Sequence, residues 1–269
     1  MNTLAFIGGG NMSSAVIGGL LKSGRPAASI LVVEPVEAAR ARLANDFGVR
    51  VLAAADASLG EADRVVWAVK PQLFREAAAP CAAHVGAALQ LSVMAGIRCD
   101  AIAAATGSAR IVRSMPNTPA LIGQGIAGLY ARPAVSADER AEVEALLAPT
   151  GEVVWVAEEA DLDAVTALSG SGPAYVFYLI EALIDAGQAA GLDAGQARRL
   201  TLATLAGATA LARASDDPPA LLRERVTSKG GTTHAALQVL EAAGLKATVG
   251  QAVDAARRRA AELGDAFGH

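Results

Sequence analysis

A chain of 269 residues with 53% apolar and 19% charged content holds enough material for one large domain or two ordinary ones, with a real core. The formal charge of −4 is mild and the 23 basic residues are scattered, which excludes the electrostatic footprint of nucleic-acid or anionic-membrane binding. Cys81 and Cys99 form neither a CxxC pair nor a metal-ligand spacing with histidine, so no disulfide framework and no metal site is expected. A reducing, cytoplasmic setting suits such a chain.

The first 21 residues have the apolar content of a signal peptide. They lack a basic leading segment, and Gly8-Gly9-Gly10-Asn11 and Ser13-Ser14 interrupt the run, so a buried strand followed by a helix is expected. Up to about residue 155, β-branched runs alternate with alanine-rich segments. Strands are expected over Leu4 to Ile7, Ile30 to Val33, Val65 to Val69, Leu89 to Val93, Ile111 to Val112 and Val153 to Val156. Strands separated by helix-length stretches imply βαβ units, hence an α/β, mostly parallel, doubly wound sheet with helices on both faces.

Beyond Asp161 the period changes. Ala/Leu-rich stretches recur from Ala174 to Ala190, Ala197 to Ala214 and Ala247 to Leu263, each bounded by Gly or Pro, so an all-helical part is expected over 161–269 after an α/β part over 1–160. Ser169-Gly170-Ser171-Gly172-Pro173 is the expected joint, with Pro173 suited to the first turn of the next helix. That helix, Ala174 to Ile184, is apolar nearly all round, which calls for burial on every side. So few helices could hardly cover it, and a partner subunit is expected to share the core, burial entirely by its own chain being the alternative. Glu181 and Asp185 break the longest apolar run short of the ~20 residues that span a bilayer, so no membrane segment is expected.

After the first strand, Ile7-Gly8-Gly9-Gly10-Asn11-Met12 opens into a helix in the pattern Gly8-x-Gly10-x-x-Ser13. Gly8 permits the tight turn, Gly10 lets a pyrophosphate approach the backbone, and Ser13 is a small substitute at the third position. Strand before, helix after and a second strand at the expected distance make this a dinucleotide site. Glu34, 24 residues beyond Gly10, closes that second strand, where an acidic group accepts hydrogen bonds from the adenosine ribose and repels a 2′-phosphate. This favours NADH. Arg40 and Arg42 follow on the next helix within reach of a phosphate, but a solvated helix face is the expected place for both, and the choice between NADPH and NADH stays open. Ala68-Val69-Lys70-Pro71, Met94-Ala95-Gly96 and Met115-Pro116-Asn117-Thr118-Pro119 fall at the strand ends that face the cofactor crevice.

Near the C-terminus, Val226-Thr227-Ser228-Lys229-Gly230-Gly231-Thr232-Thr233-His234 is a glycine-bearing polar loop that runs into a helix. Its unpaired N–H groups suit a carboxylate or phosphate. Histidine occurs only at positions 84, 234 and 269, and no nucleophile–base arrangement is legible. Oxidising an alcohol requires a strong base, whereas hydride delivery to a protonated imine does not, so hydroxyls and amides favour a C=N acceptor.

These segments carry a resemblance. FIGGGNM (6–12), AVKP (68–71), MPNTP (115–119), SGSGPAY (169–175) and VTSKGGTTHAALQVLE (226–241) are similar to those of the pyrroline-5-carboxylate reductases, in order and along essentially the whole chain. The resemblance implies NAD(P)H-dependent reduction of 1-pyrroline-5-carboxylate to L-proline, the last step of proline biosynthesis. It also implies a Rossmann-type dinucleotide-binding domain followed by an all-α dimerisation domain that interlocks with its twin, dimers of this kind often associating into a decamer. By position, Ile7, Gly8, Gly9, Gly10, Asn11 and Met12 would hold the pyrophosphate. Ala68, Val69, Lys70, Pro71, Ala95 and Gly96 would flank the nicotinamide and its ribose. The amides of Gly230, Gly231 and Thr232 would hold the substrate carboxylate, with the Thr233 hydroxyl at the ring nitrogen. The substrate loop is expected to meet the cofactor of the partner subunit.

Two departures from the family pattern stand out. Relatives often carry a basic residue where this chain has Glu34-Pro35, and proline where it has Lys229. That lysine either adds charge beside the carboxylate or is a solvated loop residue. Glu159 corresponds to a position near ligand in some relatives, with an exposed acidic turn as the alternative. A β-hydroxyacid dehydrogenase would need a lysine from the helical part, and none lies between Asp161 and Val226. A dinucleotide sensor without catalysis would have no use for the second anion loop.

Overall fold

The computed structural model describes residues 3–267. Its α/β part contains β1 (Thr3–Ile7), α1 (Asn11–Lys22), β2 (Ile30–Val33), α2 (Glu37–Phe47), β3 (Arg50–Leu52), β4 (Ala62–Trp67), α3 (Phe74–Ala78), α4 (Ala82–Val85), β5 (Leu89–Ser92), α5 (Cys99–Thr106), β6 (Ile111–Met115), β7 (Gly125–Ala131), α6 (Ala137–Leu147), β8 (Gly151–Trp155) and α7 (Asp161–Val165). One sheet takes the strand order β3-β2-β1-β4-β5-β6-β7-β8. Every ladder is parallel except β6–β7. The order reverses between β1 and β4, and the crevice outside their C-terminal ends is where open α/β sheets bind ligands.

Alternation along the strands buries both faces. Leu4, Phe6, Ile30, Val32, Val66 and Leu91 pack with Val16, Ile17 and Leu20 of α1 and Leu43 of α2. On the other face Ala5, Ile7, Leu31, Val65 and Trp67 pack with Phe74, Val85, Ile97 and Ile102. Each fully buried Leu, Ile or Phe contributes roughly 1.5–3 kcal/mol, so apolar runs of four or five residues suffice to place a central strand.

Two strands escape the sequence pattern. Strand β3 has only three residues, and β7 is Gly125-Ile-Ala-Gly-Leu-Tyr-Ala, poor in β-branched residues. Gly128 in β7 has a packing reason, since a Cβ there would lie 2.7 Å from Val165 Cγ1 of α7.

The remaining helices are α8 (Gly172–Ala189), α9 (Ala194–Arg213), α10 (Pro219–Arg225), α11 (Thr232–Ala242) and α12 (Leu245–Phe267). The Ser-Gly-Ser-Gly joint is no open loop. A π turn over Thr166–Gly170 connects α7 to α8, and the Ser171 amide donates to Thr166 O at 2.8 Å. Pro173 stands in the first turn of α8. The stretch Asp161–Ala189 is thereby long and apolar enough to cross a membrane by length and composition, which the sequence reading did not expect. The difference is continuity, because the π turn keeps the helix going where two glycines suggested a break.

The chain divides into two compact units, one reaching Pro173 and taking back the chain from Ala255, the other spanning Ala174–Asp254. This differs from a division at residue 160 for two physical reasons. Helix α7 packs on β7, and the end of α12 lies over the β5–α5 loop, where a Cβ on Gly264 would come 2.6 Å from Arg98 Nη2. In the second unit only Ala197 and Thr201 are buried among the described residues, and α8 has no buried residue at all. Phe177 and Tyr178 are 59% and 77% exposed. A unit with so little core of its own requires a partner surface.

Candidate cofactor site and substrate loop

The β1–α1 turn is built for close approach. Gly8 has φ +98°, and a Cβ there would sit 2.7 Å from Ala68 O on the neighbouring β4 end. A Cβ on Gly9 would meet Leu43 Cδ1 at 2.4 Å, whereas one on Gly10 would meet nothing within 4 Å. The first two glycines are therefore demanded by protein packing, and the third faces open space. Gly10 is the N-cap of α1 and no side chain caps that end, so the amides of its first turn remain for an anion. The Ser13 hydroxyl donates to Gly8 O at 2.6 Å, so the small third residue also fastens the turn. Ser14 Oγ is buried without a hydrogen-bond partner.

Glu34 ends β2 inside this turn. Its carboxylate accepts the Gly9 amide at 2.8 Å and the Val36 amide at 2.9 Å, and the residue is 9% exposed. Arg40 Nη1 donates to the carbonyls of Glu34 and Pro35 at 2.9 and 2.6 Å, and Arg42 Nη2 donates to Gly9 O at 3.3 Å. Arg40 is half-buried, while Arg42 remains exposed on the helix, as expected of a solvated face. The helix start points them back to the end of β2 and to the glycine loop, where strand-terminal carbonyls lack ladder partners. Beside them a recess of about 280 Å³ is lined by Ile7, Val33, Pro35, Ala54, Val69 and Leu73. An apolar recess, an uncapped helix start and glycines without room for Cβ together fit an adenine dinucleotide.

Along the same crevice edge, Ala68 and Val69 are half-buried and Lys70 is exposed, with Pro71 opening a 3-10 turn. Gly96 has φ +77°, and Phe267 and Gly264 of α12 lie against it. The loop that carries Ala95 and Gly96 is held by a polar network that the sequence did not reveal. Arg98 grips Asp163 with both Nη atoms, at 2.9 and 3.3 Å. Glu159 Oε1 accepts from the Cys99 amide at 2.7 Å and from Arg113 Nη1 at 2.8 Å. Glu159 is therefore neither an exposed turn residue nor a free ligand group. It caps α5 and neutralises a buried arginine whose Nε has no partner. A buried arginine in a strand is the one legible signal of this network.

Neither cysteine is set up as a nucleophile. Burial pushes the Cys81 thiol up to about 11. Burial, then the Glu159 carboxylate, pushes Cys99 still further.

In the helical unit, Gly230 has φ +75° and the Gly231 amide donates to Ser228 O at 3.0 Å. The Thr227 hydroxyl donates to Arg223 O at 2.6 Å. Gly231 is the N-cap of α11 and carries no side-chain cap. The amides of Thr232, Thr233 and His234 thus open the helix uncapped, with Thr233 half-buried and Thr232 and Lys229 exposed. Of the amides expected to receive a carboxylate, that of Gly231 is committed to its own turn. His234, with Thr227 of the loop, lines a recess of about 470 Å³ with Leu221, Arg223 and Leu237 between α10 and α11.

Residues 159–263 match the family model for pyrroline-5-carboxylate reductase dimerisation, and residues 3–96 match that for coenzyme F420-dependent NADP oxidoreductases. A pyrroline-5-carboxylate reductase of Pseudomonas aeruginosa is 46% identical over 270 residues, which cover 98% of either chain. That of Haemophilus influenzae is 42% identical with the same coverage. Among solved structures, a pyrroline-5-carboxylate reductase from Coxiella burnetii superposes with a TM-score of 0.91 at 35% identity, covering 97% of this chain and 98% of the other. One from Plasmodium falciparum with NADP bound gives 0.86 at 29% identity over 98% of both. On these whole-length matches, and on a glycine turn and a helix-opening loop that both present free amides, this chain belongs to the pyrroline-5-carboxylate reductase family.

Proposed function

We propose that this chain transfers hydride from NAD(P)H to the C=N bond of 1-pyrroline-5-carboxylate and releases L-proline. The observation that carries the reading is the uncapped start of α11, an anion receptor made of amides and hydroxyls without a strong base. NAD(P)H, when bound, supplies the hydride. The chain's own residues position and polarise. The amides of Gly230 and Thr232 hold the carboxylate, and Gly231 contributes the tight turn that aims them.

Fixing the carboxylate on preorganised N–H dipoles orients the ring, which contributes several kcal/mol, on the order of a well-oriented intramolecular reaction. The Thr233 hydroxyl orients the iminium nitrogen and relays a proton with water, since an unperturbed hydroxyl is too weak an acid to act alone. Ile7 to Met12 hold the pyrophosphate on the α1 amides. Ala68 to Pro71, with Ala95 and Gly96, flank the nicotinamide end.

The division that serves this function keeps 1–160 as the dinucleotide-binding part and 161–269 as the dimerising, substrate-binding part, supported by the match of the dimerisation model to 159–263. The exposed apolar surface of α8 supports an interlocked homodimer. Association into a decamer extends that reading by family resemblance, and mass photometry tests it. Two buried, unbridged cysteines support a cytoplasmic setting. Mixing the protein with pyrroline-5-carboxylate and NADH or NADPH, and following loss of reduced-cofactor absorbance, tests the activity. Oxidation with neither cofactor overturns it.

A further inference from the structure

We propose that Arg98, held between Asp163 of α7 and Gly264 of α12, is a positioning residue for hydride transfer, because it sets the β5–α5 loop whose Ala95 and Gly96 flank the nicotinamide. The proposal rests on reading that loop as the nicotinamide end of the crevice. It goes beyond that reading by giving the last turns of α12 a part in the reaction.

The loop bends at Gly96, where φ is +77°. Glycine has the widest backbone freedom of any residue, so the position of such a bend is set by what packs on it. A Cβ on Gly96 would lie 3.3 Å from Phe267 Cδ2 and 3.5 Å from the Gly264 nitrogen, so α12 lies directly against the loop. Ile97, fully buried, fastens the next residue in the core. Arg98 then opens α5 as its N-cap residue, and both of its Nη atoms donate to the Asp163 carboxylate, at 2.9 and 3.3 Å. The two side chains are 21% and 11% exposed, and a two-pronged pair withdrawn from water fixes orientation as well as distance.

Gly264 supplies the other side of the clamp. It lies inside the 23-residue helix α12, where glycine is less favourable than alanine, and its φ is not left-handed, so no turn demands it. The reason is steric. A Cβ there would come 2.6 Å from Arg98 Nη2, 2.7 Å from Nε and 2.8 Å from Cζ, so the guanidinium fills the space that any other residue would occupy. Arg98 is thereby confined to one place, against Asp163 on one side and α12 on the other, and the bend two residues earlier follows it. Hydride transfer is sensitive to such placement, since a shift of about 1 Å can cost on the order of 100-fold in rate.

Gly264→Ala in the intact protein tests this, because its one added methyl displaces the flexible end of Arg98 and leaves the adenosine end of the crevice untouched. We expect ADP-ribose to bind within about 2-fold of the parent in calorimetry, since it lacks the nicotinamide. The fluorescence of bound NADH and NADPH should shift towards that of the free cofactors, which reports a loosened nicotinamide without relying on imine reduction. In steady-state kinetics kcat should fall about 10-fold, with KM for pyrroline-5-carboxylate within about 3-fold. Arg98→Met should act alike, and the double variant should be little worse than either, because both changes act on one group. Unaltered fluorescence and kcat, or fully additive losses, overturn the proposal. Loss of ADP-ribose binding along with activity shows a merely structural role and overturns it too. Should Arg98→Met fail to fold with Asp163 left unpaired, Gly264→Ala decides alone. A parent that reduces no pyrroline-5-carboxylate removes the catalytic reading, and the fluorescence then decides whether the clamp positions the nicotinamide.

Discussion

Glu34 accepts the Gly9 amide hydrogen at 2.8 Å, which joins the end of β2 to the middle of the glycine loop across 25 residues of sequence. Its other carboxylate oxygen takes the Val36 amide, so one buried side chain satisfies two backbone donors. Glu34→Ala leaves both unsatisfied, at a cost of about 1–3 kcal/mol for each donor that water cannot reach. Urea denaturation should show the loss, and nucleotide affinity should fall with it because the loop loses its anchor. Unchanged stability would mean that water replaces the carboxylate.

Thr233→Ala should lower kcat by about 10-fold or more while leaving the Kd for reduced cofactor within about 2-fold, as expected for removal of one group that helps move a proton. Stopped-flow turnover and cofactor fluorescence titration measure the two quantities. A collapse of cofactor binding instead would place the α11 loop on the cofactor.

The pair Arg113–Glu159 joins a buried arginine, 5% exposed in its side chain, to a carboxylate that is 24% exposed. Removing the carboxylate leaves a buried cation uncompensated and the Cys99 amide uncapped. Glu159→Ala should therefore destabilise by about 3 kcal/mol, the lower end for a broken buried pair because one partner meets solvent. A double-mutant cycle with Arg113→Met, read by thermal unfolding, should recover part of that cost. A Glu159→Ala protein as stable as the parent would refute the pairing.

Ser136 and Glu139 cap α6 reciprocally, the Glu139 amide donating to Ser136 Oγ at 3.2 Å and the Ser136 amide to Glu139 Oε2 at 2.9 Å. Burial pulls the Glu139 carboxyl upward, but the Ser136 amide and Arg110 outweigh it and hold the group below its ordinary value. A folded value below the unfolded one gives stability that is present above the unfolded value and lost as pH falls through the folded one. Glu139→Gln should cost about 1 kcal/mol near neutral pH, typical of a cap. The difference from the parent should shrink in acid, and a pH series of denaturation midpoints measures it. A constant difference would remove the charge from the argument.

Phe177 and Tyr178 lie exposed on α8, within the region that matches the dimerisation model. Tyr178→Glu should shift the protein to smaller species in analytical ultracentrifugation, because a charge buried without a partner costs several kcal/mol, on the order of a whole interface contact. Unaltered assembly would move the interface away from α8.

Much of the architecture was legible because it rests on local periodicity. Strand β2 matches the run Ile30 to Val33 residue for residue, and Pro173 and the start of α11 mark their helices. Strand β7 was not legible, because four of its seven residues are Gly or Ala, and pairing with β6 and β8 and packing against α7, rather than its own propensity, hold it in the sheet. The π turn at Thr166–Gly170 was taken for a break, since glycine content does not distinguish a helix interrupted from a helix locally widened.

By itself the sequence determined the alternation of strands and helices, the two places where backbone amides gather, and through its motifs the family. Only the tertiary structure decided what surrounds Glu34, where Arg40 and Arg42 point, and which residues hold the Ala95–Gly96 loop. Helix and strand periods are properties of neighbours along the chain, so they can be read from it. Hydrogen bonds such as Glu34 to Gly9, or Glu159 to Arg113, join residues 25 and 46 positions apart, and exist only once the sheet has set its strand order.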